Sequence, residues 1–175
     1  MSSERRSESE TKRDLVITRA FDAPVEDVWR AWTDCKQVMR WWGPRGFSSP
    51  SCKVDLREGG KYLFHMRAPE SEELGDLAGQ DFYNTGVYRT VEPMKCLEFS
   101  QVTSDKDGNE VDPAEVGMGP DFPKEVRTSL TFQSVDGKTE MTVREYGWPV
   151  GETRDLSEKG WGESLDKLAE ALARH

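Results

Sequence analysis

Residues 17–44 read ITRAFDAPVEDVWRAWTDCKQVMRWWGP, and this stretch decides the fold that the rest of the chain must complete. A strand pattern ends at Phe21, and Pro24 follows, which suits the first turn of a helix because its missing N–H is not needed there. Apolar residues then recur at helical spacing, and a second short helical pattern stops at Gly43-Pro44, a strong helix breaker. The stretch therefore predicts a strand and two short helices joined with almost no linker.

Strand patterns fill the middle of the chain, and one amphipathic helix, residues 153–174 with Thr153 as its N-cap, closes it. No helical pattern separates the strands, which indicates an antiparallel sheet. The predicted strands are residues 14–21, 47–56, 61–67, 80–91, 95–103, 124–134 and 138–146, with loops at 69–79 and 104–123. The sequence thus predicts an α+β fold in the order β-α-α-β6-α.

The N-terminal residues 1–12 contain almost nothing that a core could bury, and we expect them to form a disordered tail. Residues 13–175 have the length of a single domain. The formal charge of −9 argues against non-specific binding to nucleic acid and against an anionic membrane surface, because both depend on an excess of Lys and Arg.

Three cysteines, Cys35, Cys52 and Cys96, are widely spaced and form no CxxC or Cys/His motif. We therefore expect free thiols, without a disulfide or a zinc site. The chain has no signal-peptide pattern and no apolar run of about 20 residues, the length that a membrane span requires. These features predict a soluble cytoplasmic protein without a membrane partner.

Strand alternation predicts which side chains face the concave side of the sheet. This face is apolar with a few polar groups, which is typical of a small-ligand site. The predicted ligand-binding residues are Tyr62, Phe64, Met66, Tyr88, Phe99, Thr128, Leu130, Glu145, Trp161 and Leu165. An ordinary packed core explains the same pattern. A deeply buried, unpaired Glu145 would cost several kcal/mol, so we expect this residue near the mouth of a cavity.

No motif of a catalytic, phosphate-binding or metal-binding kind occurs in the chain, so we predict no catalytic residue, cofactor or metal. His65 lies in a strand pattern and is predicted to be a strand-surface histidine, with a role as acid or base as the alternative. Glu145 together with Tyr88 is a second candidate for acid/base chemistry in a cavity.

Five segments resemble the activator of heat-shock protein 90 ATPase homologue family of the START / birch-pollen-allergen (SRPBCC) superfamily: ITRAFDAPVEDVWRAWTD, MRWWGP, VDLREGGKYLFHM, GVYRTVEPMKCLEF and GWGESLDKLAEAL. The resemblance covers about residues 14–173. It implies a helix-grip fold, in which the long C-terminal helix packs across a curved antiparallel sheet and a cavity forms between them. It also implies that the loop 104–123 lies near the cavity entrance, where it could act as a gate.

These observations lead to three functional hypotheses. The first is a non-catalytic carrier or sensor that binds a hydrophobic small molecule between the last helix and the sheet. The second is an enzyme of the cyclase, hydratase or hydrolase type acting on aromatic or polyketide-like substrates, which this superfamily also contains. The third is an interaction module for a chaperone or stress-response system. Either a monomer or a homodimer is compatible with the sequence.

Overall fold

The computed structural model describes residues 11–119 and 121–173. The strands are β1 (Lys12–Phe21), β2 (Cys52–Val54), β3 (Lys61–Arg67), β4 (Asp81–Glu92), β5 (Cys96–Ser104), β6 (Glu125–Val135) and β7 (Lys138–Pro149). The helices are α1 (Val25–Thr33), α2 (Cys35–Val38) and α3 (Glu152–Ala173), and short 3₁₀ turns occur at Glu72–Leu77 and Pro113–Val116. The predicted disordered tail lies outside the described residues up to position 10, and β1 begins at Lys12, inside the range predicted as tail.

The strands form one antiparallel sheet in the order β1-β7-β6-β5-β4-β3-β2. Strands β1 and β2 are therefore opposite edges of the sheet, and the segment that contains α1 and α2 connects them. Helix α3 packs across the concave face, and its residues Leu165 and Leu168 are completely buried. The predicted α+β helix-grip fold, with a curved antiparallel sheet and a long C-terminal helix, is confirmed.

Helix α1 begins at Val25, so Pro24 is its N-cap residue rather than part of the first turn as predicted. Acidic residues lie in the first turn, where the helix dipole favours negative charge. Its apolar stripe buries Trp29 and Trp32. Helix α2 is shorter than predicted and ends at Val38, and residues 39–41 continue as turns. The opening stretch thus places its aromatic residues under the concave face of the sheet.

Two local predictions about the strands are wrong. Residues 47–56 form only the three-residue strand β2, preceded by an isolated bridge between Ser48 and Arg67. Alternation from Tyr88, a predicted inward residue, also predicts an inward Thr90. A bulge in β4 shifts the register between Tyr88 and Thr90, and Thr90 instead hydrogen-bonds the Glu98 side chain at 2.9 Å. An extra residue in one strand reverses the alternation beyond it.

The long helix is attached to the segment after α2 by a half-buried amine. Lys167 Nζ donates to the carbonyl oxygens of Gly43, Pro44 and Phe47 at 3.1, 3.3 and 2.9 Å. Burial lowers the pKa of Lys167. The helix itself begins at Glu152, so the predicted N-cap residue Thr153 lies within its first turn. Among the described residues, no helix is long and apolar enough to cross a membrane.

A disulfide joins Cys35 to Cys52, whose Cα atoms lie 5.4 Å apart, and Cys96 is free. The prediction of three free thiols is therefore wrong for two of them. The fold brings α2 beside the edge strand β2, and a pairing of this kind leaves no spacing motif in the sequence. The bond ties the segment that carries the tryptophans to the sheet edge.

Candidate functional site

A cavity of about 390 Å³ lies between α3, the concave face of the sheet and the loop 104–123. Its volume falls within the range of about 300–1,000 Å³ that is common for small-molecule sites. Aromatic residues provide much of the wall, namely Trp42, Phe82, Tyr83, Phe122, Trp148 and Trp161. The predicted position of the loop near this cavity is confirmed, because Gly117, Met118 and Phe122 line it.

The loop reaches the cavity through a close approach at Gly117. This residue ends the 3₁₀ turn Pro113–Val116 with a φ of 85°, a left-handed conformation that favours glycine. A Cβ atom at Gly117 would also lie only 2.7 Å from Leu77 Cδ2. The glycine thus lets the loop pack on the neighbouring 3₁₀ turn and cover one side of the cavity.

Among the described residues of the cavity wall, the charged one is Glu145, and its side chain is deeply buried, with only 3% of the residue exposed. The indole N–H groups of Trp148 and Trp161 donate to its Oε1 atom at 3.1 and 3.0 Å, and Gln101 Nε2 donates to Oε2 at 2.6 Å. Glu145 is therefore deeply buried. Its charge had predicted a place near the mouth of the cavity, so that expectation is wrong. The neutral donors offset part of the cost of burial.

Burial raises the pKa of Glu145, and the hydrogen bonds from Trp161, Trp148 and Gln101 act in the opposite direction. Gln101 is itself oriented by its neighbours. Asn84 Nδ2 donates to Gln101 Oε1 at 3.0 Å, and Gln101 Nε2 also donates to Thr128 Oγ1 at 2.8 Å. This chain of hydrogen bonds directs the Gln101 amide N–H groups toward the carboxylate.

The raised pKa predicts how stability depends on pH. Between the ordinary pKa, 4.5, and the raised one, the unfolded carboxyl is ionised while the folded one still holds its proton. The folded protein therefore gains stability from the protonated form of Glu145. This contribution is fully present below the ordinary pKa and is lost as the pH rises through the raised pKa. We therefore expect the free energy of unfolding of the wild type, relative to Glu145→Gln, to fall as the pH rises from the ordinary pKa of 4.5 through the raised pKa.

Urea unfolding of both proteins across this pH range measures the difference. Glu140→Gln is the control, because it removes an exposed carboxyl from the same strand. If the free energy of unfolding of the wild type, relative to Glu145→Gln, increased with pH, the raised pKa of Glu145 would be contradicted.

Sequence reasoning missed Trp148, because the predicted strand ended at residue 146. In the structure β7 continues to Pro149, and its pairing with β1 shifts register between Arg13 and Leu15. Residues three apart in a regular strand face opposite sides, but this irregularity places Trp148 on the same side as Glu145. Gly147, with a φ of 71°, lies within the irregular segment, and it is the one sequence signal that could have suggested it.

Three of the ten predicted ligand-binding residues, Met66, Glu145 and Trp161, line the cavity. The other seven are buried but do not line it, namely Tyr62, Phe64, Tyr88, Phe99, Thr128, Leu130 and Leu165. The cavity occupies only one end of the concave face. At the other end α1 fills the space, with Trp29 against Phe132 at a ring distance of 5.4 Å. Contact of these seven residues with a ligand stays a prediction.

His65 is 4% exposed, so the prediction of a surface histidine is wrong. Its Nδ1 atom lies 2.8 Å from Ser51 Oγ and its Nε2 atom 2.7 Å from Asp81 Oδ1, while its ring stacks on Tyr83 at 4.3 Å. By alternation along β3, His65 faces away from the neighbouring inward residues. Asp81 also accepts a hydrogen bond from Arg67 at 2.8 Å. The cluster connects the segment before β2 to β3 and β4.

Known proteins agree with this architecture. The family described as "Activator of Hsp90 ATPase homolog 1-like protein" matches residues 22–173. A solved structure from Nitrosomonas europaea has 26% identity and a TM-score of 0.69, over 92% of this chain and 94% of that one. The AHSA1 protein from Silicibacter pomeroyi has 23% identity and a TM-score of 0.65, over 92% of this chain and 98% of that one.

A Chromobacterium violaceum protein, at 22% identity and a TM-score of 0.69, has the same fold over 93% of this chain and 98% of that one. Among the curated proteins, none matches this chain significantly. The family match spans all the elements from α1 to α3 that enclose the cavity. The chain therefore belongs to the Activator of Hsp90 ATPase homolog 1-like protein family.

Proposed function

We propose that this protein binds a hydrophobic small molecule in the cavity between α3 and the sheet, as a carrier or sensor. Membership of the family supports a ligand-binding type of domain. The observation that carries the proposal is a cavity of about 390 Å³ with six aromatic residues in its wall.

The polar groups of the site support binding rather than mere packing. Glu145, Gln101 and Asn84 all line the cavity, and hydrogen bonds hold each of them in place. Small-molecule sites typically combine an apolar wall with a few polar groups whose positions are set before the ligand arrives. The arrangement therefore offers an apolar body a place to bind and gives it a fixed orientation.

Titration with the neutral dye Nile red, followed by its fluorescence, tests the proposal. Wild-type protein is expected to take up the dye with one saturable site. Ser157→Trp adds a bulky side chain to the cavity wall and should weaken binding at least about tenfold, since it takes space from the ligand. Lys159→Trp is the control, because it adds the same side chain at an exposed position of α3 outside the wall. The proposal is wrong if the wild type takes up no dye, or if the two variants bind the dye with equal affinity.

The cytoplasmic location and a chaperone contact stay proposals. The Cys35–Cys52 disulfide counts against the cytoplasm, because disulfides are rare where glutathione keeps thiols reduced. The chaperone proposal is supported by the family description alone.

A further inference from the structure

The cavity contains a buried carboxyl group for which the wall offers no cation. Glu145 lines the cavity, and among the described residues of the wall there is no Lys, Arg or His. A buried carboxylate is expensive unless an opposite charge or several hydrogen bonds compensate it. The described wall therefore supplies no opposite charge to the ionised form of Glu145.

The partners that Glu145 does have are neutral donors. Trp148 and Trp161 can only donate through their indole nitrogens, and Gln101 presents its amide N–H groups. Donors of this kind orient a carboxylate and favour its ionised form, but they do not neutralise its charge. The site thus holds, in a fixed position at an apolar cavity, a carboxyl group whose ionised form a bound cation would stabilise.

The surrounding rings offer a second attraction for a positive group. The face of a tryptophan or tyrosine ring attracts a cation within about 6 Å, and the attraction grows where water is excluded. Trp42, Trp148 and Trp161 are all part of the wall, and the hydrogen bonds to Glu145 hold two of these rings beside the carboxylate. Carboxylate and ring faces together are suited to a substituted ammonium group.

We propose that the cavity selects molecules that carry a protonated amine on an apolar body, with the ammonium group beside the Glu145 carboxylate. The apolar body then lies against Met118 and Phe122 of the covering loop and Leu156 of α3. This inference rests on the proposed ligand binding and specifies the chemical class of the ligand. It assigns Glu145 to recognition of charge.

The test uses phenylbutylamine, phenylbutanol and phenylbutyrate, which share one aromatic and aliphatic body and differ in the charge of the end group. Binding to the folded full chain is measured by isothermal titration calorimetry. In the wild type, the amine is expected to bind at least about tenfold more tightly than the alcohol, and the carboxylate more weakly than the alcohol, because like charges repel.

Glu145→Gln keeps the shape of the side chain and removes its charge, so it should bring the amine and the alcohol within about twofold of each other. Glu140→Gln, which removes an exposed carboxyl from the same strand, should leave the wild-type preference in place. Circular dichroism checks that both variants fold, and the comparison of the three probes on the wild type does not depend on either variant.

The outcomes separate this inference from the proposed function. If the alcohol binds the wild type as well as the amine does, ligand binding stands and selection by charge is overturned. If none of the three probes binds and Nile red is not taken up either, both proposals fall. A preference for the amine that survives in Glu145→Gln also overturns the role of this carboxyl.

Discussion

Replacing Trp32 with alanine is expected to lower the free energy of unfolding by about 3–5 kcal/mol, the range typical of a buried Trp or Phe. Trp32 is 1% exposed, and its ring centroid lies 4.7 Å from that of Trp41, 6.1 Å from that of Trp42 and 5.8 Å from that of Trp161. Its indole N–H also donates to the Met141 sulfur at 3.1 Å. Truncation leaves a void among rings that α1, α3 and the sheet hold in place.

Urea unfolding followed by fluorescence or circular dichroism measures this loss. Met39→Ala is the control, because Met39 lies close by in the chain and is 39% exposed. Trp161→Ala should fall between the two, since the ring of Trp161 packs on Trp32 but also borders the cavity. A loss below about 1 kcal/mol for Trp32→Ala would mean that the cluster is not a packed core.

Reduction of the Cys35–Cys52 disulfide is expected to cost about 2–4 kcal/mol of stability. The two cysteines are 17 residues apart in the sequence, and in the chain-entropy model a loop of about 15 residues corresponds to roughly 3 kcal/mol. The closed loop contains α2 and the residues that follow it, so the bond restricts the segment that carries Trp41 and Trp42. Unfolding curves with and without dithiothreitol give the difference.

The double variant Cys35→Ala/Cys52→Ala should reproduce the reduced protein and should no longer respond to dithiothreitol. Cys96→Ala is the matched control, because Cys96 is free in the structure and its removal should keep the response. Protein purified without a reductant and then unfolded should have one reactive thiol. Three reactive thiols would rule the disulfide out. Counting the reactive thiols of the protein in freshly lysed cells tests the cytoplasmic location. Three thiols would mean that Cys35 and Cys52 are reduced, as expected in the cytoplasm, and one thiol would count against that location.

The inward rows of the strands could be predicted because alternation is a local property of the chain. Tyr62 and Phe64 in β3, and Leu130 and Phe132 in β6, are buried as their spacing predicts. The alternation could not tell a packed side chain from one that lines a cavity, since both point to the same face. Tyr62, for example, packs against Phe99 at a ring distance of 5.5 Å and does not reach the cavity.

Irregular backbone accounts for two further errors, the missed Trp148 and the inward Thr90. The shifted register between β1 and β7 brings Trp148 to Glu145, and the bulge in β4 turns Thr90 away. A bulge depends on how two strands fit together, so neither strand announces it through its own pattern. The burial of Glu145 could not be predicted from one strand either. Its three donors, Gln101, Trp148 and Trp161, come from three different elements that only the tertiary structure brings together.

The sequence by itself determined the order of the elements, the antiparallel sheet, the long closing helix and the two helices encoded by residues 17–44. Those features follow from hydrophobic period, proline and glycine signals, which act between near neighbours in the chain. Only the tertiary structure decided that α1 fills one end of the concave face and leaves the other end open beside Glu145. That division depends on how far side chains from distant segments reach across the sheet, which no local pattern records.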